Sequence, residues 1–286
     1  MFENVIVGVD GRPNGRDAIA LAKALLADAG KLTLANIHGG ALNPVHASTP
    51  GRLTEERERS HELLERERAE TDTQAELVSY VASSPGHGLH ELAEQANADL
   101  LVVGSCGRGP AGRVLLGDDT RASLNGAPCA VAVATRGYGD HPLPIASIGV
   151  GYNSSTESQF ALDTARGLAT RRHAVVRALE VVSLPNYAFT GFGAPALGEG
   201  IEQMLNEANE RMQALENVEG RAVYGLAGEE LAAFGDEVQL LVVGSRGYGP
   251  VKRLILGSTS DFLERHARCS LLVLPKTAND PQPQPA

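Results

Sequence analysis

The chain has 286 residues, 43% of them hydrophobic, with six Phe, six Tyr and no Trp. It is long enough for two ordinary domains whose cores rest on Val, Leu, Ile and Ala. A formal net charge of −10 argues against a nucleic-acid backbone or an anionic membrane surface as the main partner, though a local backbone site can still hold a phosphate.

Three cysteines (Cys106, Cys129, Cys269) with no CxxC pair exclude a disulfide framework and suit a reducing compartment. Met1 to Asn4 lacks the basic segment and apolar run of a signal peptide, and no stretch approaches the roughly 20 apolar residues that span a bilayer. A cytoplasmic location is therefore expected.

In chain order, Val5 to Val9 is a continuous apolar run, the pattern of a parallel strand buried on both faces. Ala18, Ile19, Ala22, Leu25, Leu26 and Ala29 follow at helical spacing, with Gly30 read as the stop. Leu32 to Ile37 reads as a second strand. Thr54 to Ala69 reads as a charged helix with Glu55/Arg59 and Glu62/Arg66 at i,i+4. A third strand is expected over Ala75 to Val81, a helix near Leu89 to Ala96, and further strands over Leu100 to Val103 and Ala130 to Ala134. The second half has the same order, with strands at Ile148 to Tyr152, Val175 to Val181, Gly220 to Tyr224, Leu240 to Val243 and Leu271 to Leu274.

The two halves are copies. LLVVGSCGRGPAGRVLLGDDT from Leu100 returns as LLVVGSRGYGPVKRLILGSTS from Leu240, an ungapped register of 140 residues. Ala127 to Val133 likewise matches Ala267 to Val273. A period this long marks a duplicated domain rather than a solenoid. The boundaries expected are 1–136 and 145–276, with a Gly- and Pro-broken linker over 137–144 and a proline-rich tail over 277–286 that, without an apolar run, is expected to be disordered. Strands alternating with helices predict an α/β fold in which each half is a doubly wound parallel sheet covered on both faces, with ligands at the carboxyl ends of its strands.

In each half the fourth strand runs into a glycine-rich loop and then a helix. The first half has Gly104, Gly107 and, after nine residues, Gly117; the second has Gly244, Gly247 and, after nine residues, Gly257. Glycines admit close approach of a ligand to the backbone, and the helix start offers N–H groups to phosphate oxygens. Ser258 and Thr259 add hydroxyls there. Any one of these glycines also suits a tight turn or a helix cap, but the pattern occurs twice, each time between a buried strand and a helix.

With these motifs the chain resembles the universal stress protein family, whose signature is G-x2-G-x9-G-[ST]. The resemblance covers nearly all of both halves, including the opening VGVDG (Val7 to Gly11) and the APC segment before the fifth strand. It implies five-stranded parallel sheets in the order 3-2-1-4-5, packed as an internal pseudo-dimer, and ATP, with or without Mg²⁺, as the ligand. Carried over by position, the base would lie near Asp10 and Ile37 in the first half or Asn153 and Val181 in the second. Ribose and phosphates would lie on Gly104, Gly107 and Gly117, or on Gly244, Gly247, Gly257, Ser258 and Thr259.

The halves depart from that signature in opposite ways. The first keeps Asp10 but has Asp118 and Asp119 where the family has Ser or Thr; a carboxylate there repels phosphate and is expected to cap the helix. The second keeps the phosphate end but carries Asn153, which still offers a carbonyl acceptor. The second half is thus expected to be the better ATP site.

Several other residues admit simpler roles. Arg113, Lys252 and Arg253 in the loops are candidates for phosphate contact or plain solvation. His87 and His90 lack partners for a metal set. Cys129 and Cys269 read as small buried hydrophobes, and Cys106 as a loop thiol without a resolving partner. Tyr187, Phe189 and Phe192 gather after the second strand of the second half, as a lid, a protein-binding patch or interdomain packing. No nucleophile elbow or Walker lysine is present, so no catalytic residue is assigned. A nucleotide-binding stress regulator is the expected function. A pseudo-dimeric interaction module without nucleotide and, from the enzyme class, a weak ATPase or nucleotide-using transferase are the alternatives. A homodimer and further protein partners remain open.

Overall fold

A computed structural model describes residues 1–39, 52–106, 114, 121, 125–140, 142, 144–183, 194–245, 254 and 257–275. The first half contains β1 (Phe2–Gly8), α1 (Pro13–Leu25), β2 (Leu26–His38), α2 (Arg52–Glu70), β3 (Glu76–Val81), α3 (Pro85–Ala96), β4 (Leu100–Gly104) and β5 (Ala130–Ala134). The second contains β6 (Ser147–Gly151), α4 (Thr156–Arg172), β7 (Val175–Val182), α5 (Ala194–Gln213), β8 (Glu219–Tyr224), α6 (Ala227–Phe234), β9 (Leu240–Gly244), α7 (Ser258–His266) and β10 (Ser270–Leu274).

All ten strands form one sheet in the order β3-β2-β1-β4-β5-β10-β9-β6-β7-β8. Each half is parallel in the order 3-2-1-4-5, as the doubly wound pattern requires, but the two five-stranded sheets are not separate. They join where β5 and β10 pair antiparallel, Val131 opposite Val273, Ala132 opposite Leu272 and Val133 opposite Leu271. Because Ala132 and Leu272 are equivalent positions in the repeat, a pseudo-two-fold axis passes through this pair. The same symmetry recurs beside the ladder. Val114 N–H donates to Ala267 O, and the equivalent Leu254 N–H donates to Ala127 O, each at 2.9 Å.

The apolar runs are buried on both sides, which is why they lack the alternation of a half-exposed strand. Val5 and Val7 face α1 and α2, along with Leu34 and Leu64, whereas Ile6 faces α3 with Leu89 and Leu101. In the second half α4 and α5 cover the first of these faces, and α6 and α7 the other. Two apolar layers thus run unbroken from one half into the next, and burial of this continuous surface holds the halves together.

Local signals set most helix ends. Ser84 caps α3 by accepting from His87 N–H at 3.3 Å, Pro85 follows at the first helical position, and Asn97 closes the helix in the left-handed region. This helix begins four residues before the Leu89 expected from periodicity. Ser155 caps α4 in the same way, through Ser158 N–H at 3.2 Å.

The exit of α1 differs from expectation. The apolar spacing carries the helix to Ala29 with Gly30 as its stop, but α1 ends at Leu25 and the chain is already extended at Leu26. β2 therefore starts early, and its register against β1 shifts between Phe2 opposite Leu26 and Asn4 opposite Lys31. Leu26 pairs with Phe2 of β1, and Ala27 to Gly30 fall within the irregularity before the register resumes at Lys31.

The expected linker is partly anchored. Asp17 of α1 accepts hydrogen bonds from Gly137 N–H at 2.9 Å and Gly139 N–H at 2.6 Å. Burial pushes the Asp17 carboxyl up, against the pull of these two donors. The tail over 277–286 lies outside the described residues.

Candidate functional site

Both halves place equivalent residues at the carboxyl ends of their strands. After β1, Val9 N–H bonds Ala35 O at 2.8 Å; after β6, Tyr152 N–H bonds Leu179 O at 3.0 Å. These matched pairs make Asp10 the counterpart of Asn153 and Ile37 the counterpart of Val181. Asp10 and Asn153 are both exposed. Each turns its Oδ1 back onto the chain, Asp10 to Arg12 N–H at 3.1 Å and Asn153 to Ser155 N–H at 3.2 Å. This local turn holds the residue between strand and helix. It leaves Asp10 with a second carboxylate oxygen facing out, 3.7 Å from Arg12 Nε, and Asn153 with a donor amide.

Ile37 and Val181 lie near the ends of β2 and β7, but their side chains pack into the core layer that includes α3 and α6.

Gly104 and Gly244 end β4 and β9 with a packing role of their own. A Cβ on Gly104 would stand 2.0 Å from Asn14 O, and one on Gly244 would stand 2.7 Å from Glu157 Cβ. Glycine here lets the first turns of α1 and α4 rest directly on the strand ends. Beyond Gly244, Ser245 N–H bonds Leu274 O at 2.8 Å, while its hydroxyl is buried without a partner among the described residues.

The start of α7 follows the glycine loop. Gly257 is extended, with φ −86° and ψ 173°, and its N–H donates to Ser260 Oγ at 2.8 Å. The first helical bond runs from Asp261 N–H to Gly257 O at 2.8 Å. Ser258 and Thr259 therefore present N–H groups that the helix itself cannot satisfy, with their hydroxyls alongside. This is the chemistry of an anion site at a positive helix end.

Gly107, Gly117 and Gly247, together with Arg113, Asp118, Asp119, Lys252, Arg253, Tyr187, Phe189 and Phe192, lie outside the described residues. Cys129 and Cys269 are buried, and burial pushes both thiols up to about 12, which disfavours the nucleophilic thiolate. Cys106 is half-buried. His87 Nε2 sits 3.3 Å from Glu91, its neighbour one turn on. Among the described residues no group of three or more His, Cys, Asp or Glu is placed to hold a metal ion, and no helix is long and apolar enough to cross a membrane.

Sequence reasoning passed over Glu180. It is buried in β7, its Oε1 accepts from Arg211 of α5 at 2.7 Å, and its Oε2 has no partner among the described residues. Asn36, its equivalent in the first half, instead donates to Val9 O at 2.7 Å. The signal was a carboxylate inside the apolar run Ala178 to Val182. His38, at the end of β2, also went unremarked; its Nε2 lies 3.0 Å from Ser79 Oγ.

Comparison with known proteins agrees with this architecture. The profile of the Universal stress protein family matches residues 1–135 and again 145–275. A universal stress protein of Mycobacterium tuberculosis is 28% identical over 289 residues, covering 94% of this chain and 95% of its own. Another from that organism is 30% identical over 200 residues, covering 68% of this chain and 66% of its own. The crystal structure of a universal stress protein from Archaeoglobus fulgidus shares the fold, with a TM-score of 0.63 at 16% identity over 95% of this chain and 98% of that one. With the family profile matched once in each half of a continuous doubly wound sheet, this chain belongs to the universal stress protein family as a tandem, two-domain member.

Proposed function

We propose that the chain is an adenine-nucleotide-binding regulator of a stress response, with ATP held in its second half between the β6 and β9 strand ends and the start of α7. The observation that carries this reading is the first turn of α7. There Ser258 and Thr259 offer N–H and hydroxyl donors together, directly after an extended Gly257. The second half also keeps the whole family signature (Gly244, Gly247, Gly257, Ser258), whereas the first substitutes Asp118 at the position where phosphate needs a donor.

The proposed role is binding, with the donor set stabilising bound phosphate. In this reading Mg²⁺ would be carried in with the nucleotide by its phosphates, as the described residues offer no acidic cluster to hold it alone.

The test is calorimetric titration of ATP, with Mg²⁺ present, into the wild-type protein and a Gly257→Glu variant. The backbone at Gly257 is one that any residue adopts, so the variant keeps the helix start while setting a carboxylate against the phosphates. Saturable binding by the wild type that is lost in the variant is the expected result. A folded wild-type protein that takes up no nucleotide would overturn the proposal and leave the interaction module as the better reading.

A further inference from the structure

Arg121 and Asp261 occupy the same position in the two copies of the repeat, 140 residues apart, and they touch each other. The Arg121 guanidinium hydrogen-bonds and ion-pairs with the Asp261 carboxylate across the seam between the halves. Contact between equivalent positions arises only beside a two-fold axis, here the axis that runs through Ala132 and Leu272. In a dimer of identical halves, whatever side chain stood at this position would meet its own copy. In this chain the two copies carry opposite charges.

A second asymmetry stands one turn along α7. Glu264 is fully buried, and its Oε1 lies 3.0 Å from Arg121 Nε. Its equivalent in the first half is Leu124. Arg265, on the same helix as Glu264, is spent mainly on Asp261, at 3.0 and 3.3 Å, and stands 4.0 Å from Glu264. The equivalent of Arg265 is Asn125.

We propose that this cluster is a recognition device, through which the pairing face of each half accepts the other half of the chain and rejects a second copy of itself. First half against first half sets Arg121 against Arg121, with Leu124 and Asn125 where the second half has Glu264 and Arg265. Second half against second half sets Asp261 against Asp261 and buries two Glu264 carboxylates with no Arg121 to meet them. Only the unlike pairing brings one guanidinium to both carboxylates.

The backbone of the seam does not discriminate. The β5–β10 ladder and the bonds Val114 to Ala267 and Leu254 to Ala127 repeat under the two-fold axis, and like halves would make them just as well. Selection therefore falls to the side chains, where unlike charges favour one pairing and like charges penalise the two others.

The full chain tests this by refolding from denaturant at pH 8 and low salt, with light scattering after size-exclusion chromatography to measure the fraction of chains joined to other chains. Arg121→Asp makes the position alike in both halves and abolishes the preference. The interchain fraction is expected to rise about threefold over wild type, the scale of one partly exposed ion pair. The double swap Arg121→Asp/Asp261→Arg restores unlike charges between the two equivalent positions but leaves Glu264 without its guanidinium from the other half, so it is expected to bring the interchain fraction part of the way back toward wild type. The wild-type interchain fraction should also climb with added salt, which screens the preference. Should Arg121→Asp fail to fold, recovery in the double swap still supports the device. A wild-type distribution in Arg121→Asp, or a double swap that behaves no better than the single variant, overturns it.

Discussion

Asp10 and Asn153 make the same bond in the two halves, each closing a turn through Oδ1 onto the N–H two residues on. Since an amide N–H can only donate, the acceptor oxygen of Asn153 is the one committed to Ser155. Its outward group is an NH2, whereas Asp10 turns out a carboxylate oxygen. The two strand ends thus offer a ligand opposite hydrogen-bonding characters from one backbone geometry.

Replacing Asn153 by Asp should convert the second half to the acceptor character of the first. If the base sits over this residue, the exocyclic amine of adenine gains a charged acceptor, and the preference for ATP over inosine triphosphate should rise about tenfold. Parallel titrations of the two nucleotides check this. Stability should move by less than about 0.5 kcal/mol, because the position is exposed.

Gly104→Ala and Gly244→Ala should destabilise the protein even without any ligand. The new methyl group on Gly244 would press on Glu157 Cβ at 2.7 Å and Glu157 O at 2.9 Å, so α4 must move off the end of β9. Overpacking of this kind costs about 1–3 kcal/mol. The Gly104 variant, at 2.0 Å from a backbone oxygen, should be the worse of the two. Urea unfolding of ligand-free protein measures both. Unchanged midpoints would mean that these glycines serve the ligand alone.

Asp17→Ala removes the acceptor for two amides of the turn after β5, Gly137 and Gly139. A loss of about 1–3 kcal/mol is expected for the unsatisfied donors, together with faster proteolytic cleavage over 136–140. Mass mapping of the first cleavage sites distinguishes this local release from global unfolding.

Glu264 gives the seam a pH dependence. Burial pushes its carboxyl up to about 7, with Asp261 raising it further and Arg121 and Arg265 pulling it down. Between the ordinary carboxyl range and pH 7 the native protein therefore holds a proton that the unfolded chain gives up. The stability from this group is present in full below about pH 4.5 and is lost as pH rises through 7. Glu264→Gln should flatten that part of the profile and stabilise the protein by about 2 kcal/mol at pH 8. Thermal melts from pH 5 to 8 supply the comparison. A buried carboxylate that lowers stability while favouring one pairing over others is the balance expected of a specificity element.

Strand and helix order was legible because each element carries a local signal. Leu100 to Gly104 is wholly apolar and wholly buried, Thr54 to Ala69 carries its ion-pair spacing, and the 140-residue repeat doubles every reading. The start of α7 was legible for the same reason, since Gly257, Ser258 and Thr259 announce a helix end by type alone. The exit of α1 was not, because Leu26 to Gly30 satisfy helical spacing and only the pairing of Leu26 with Phe2 and of Lys31 with Asn4 draws the chain into the sheet.

By itself the sequence determined the two copies, their strand and helix order and the donor-rich helix start in the second. Those depend on periodicity and residue type within a short stretch of chain. Only the tertiary structure decided that the two sheets are one, that Ala132 and Leu272 share an axis, and that Arg121 meets Asp261 and Glu264. These contacts join residues 138 to 143 positions apart. Backbone pairing across an axis is blind to side-chain type, so no local pattern in either half records which partner its edge strand will take.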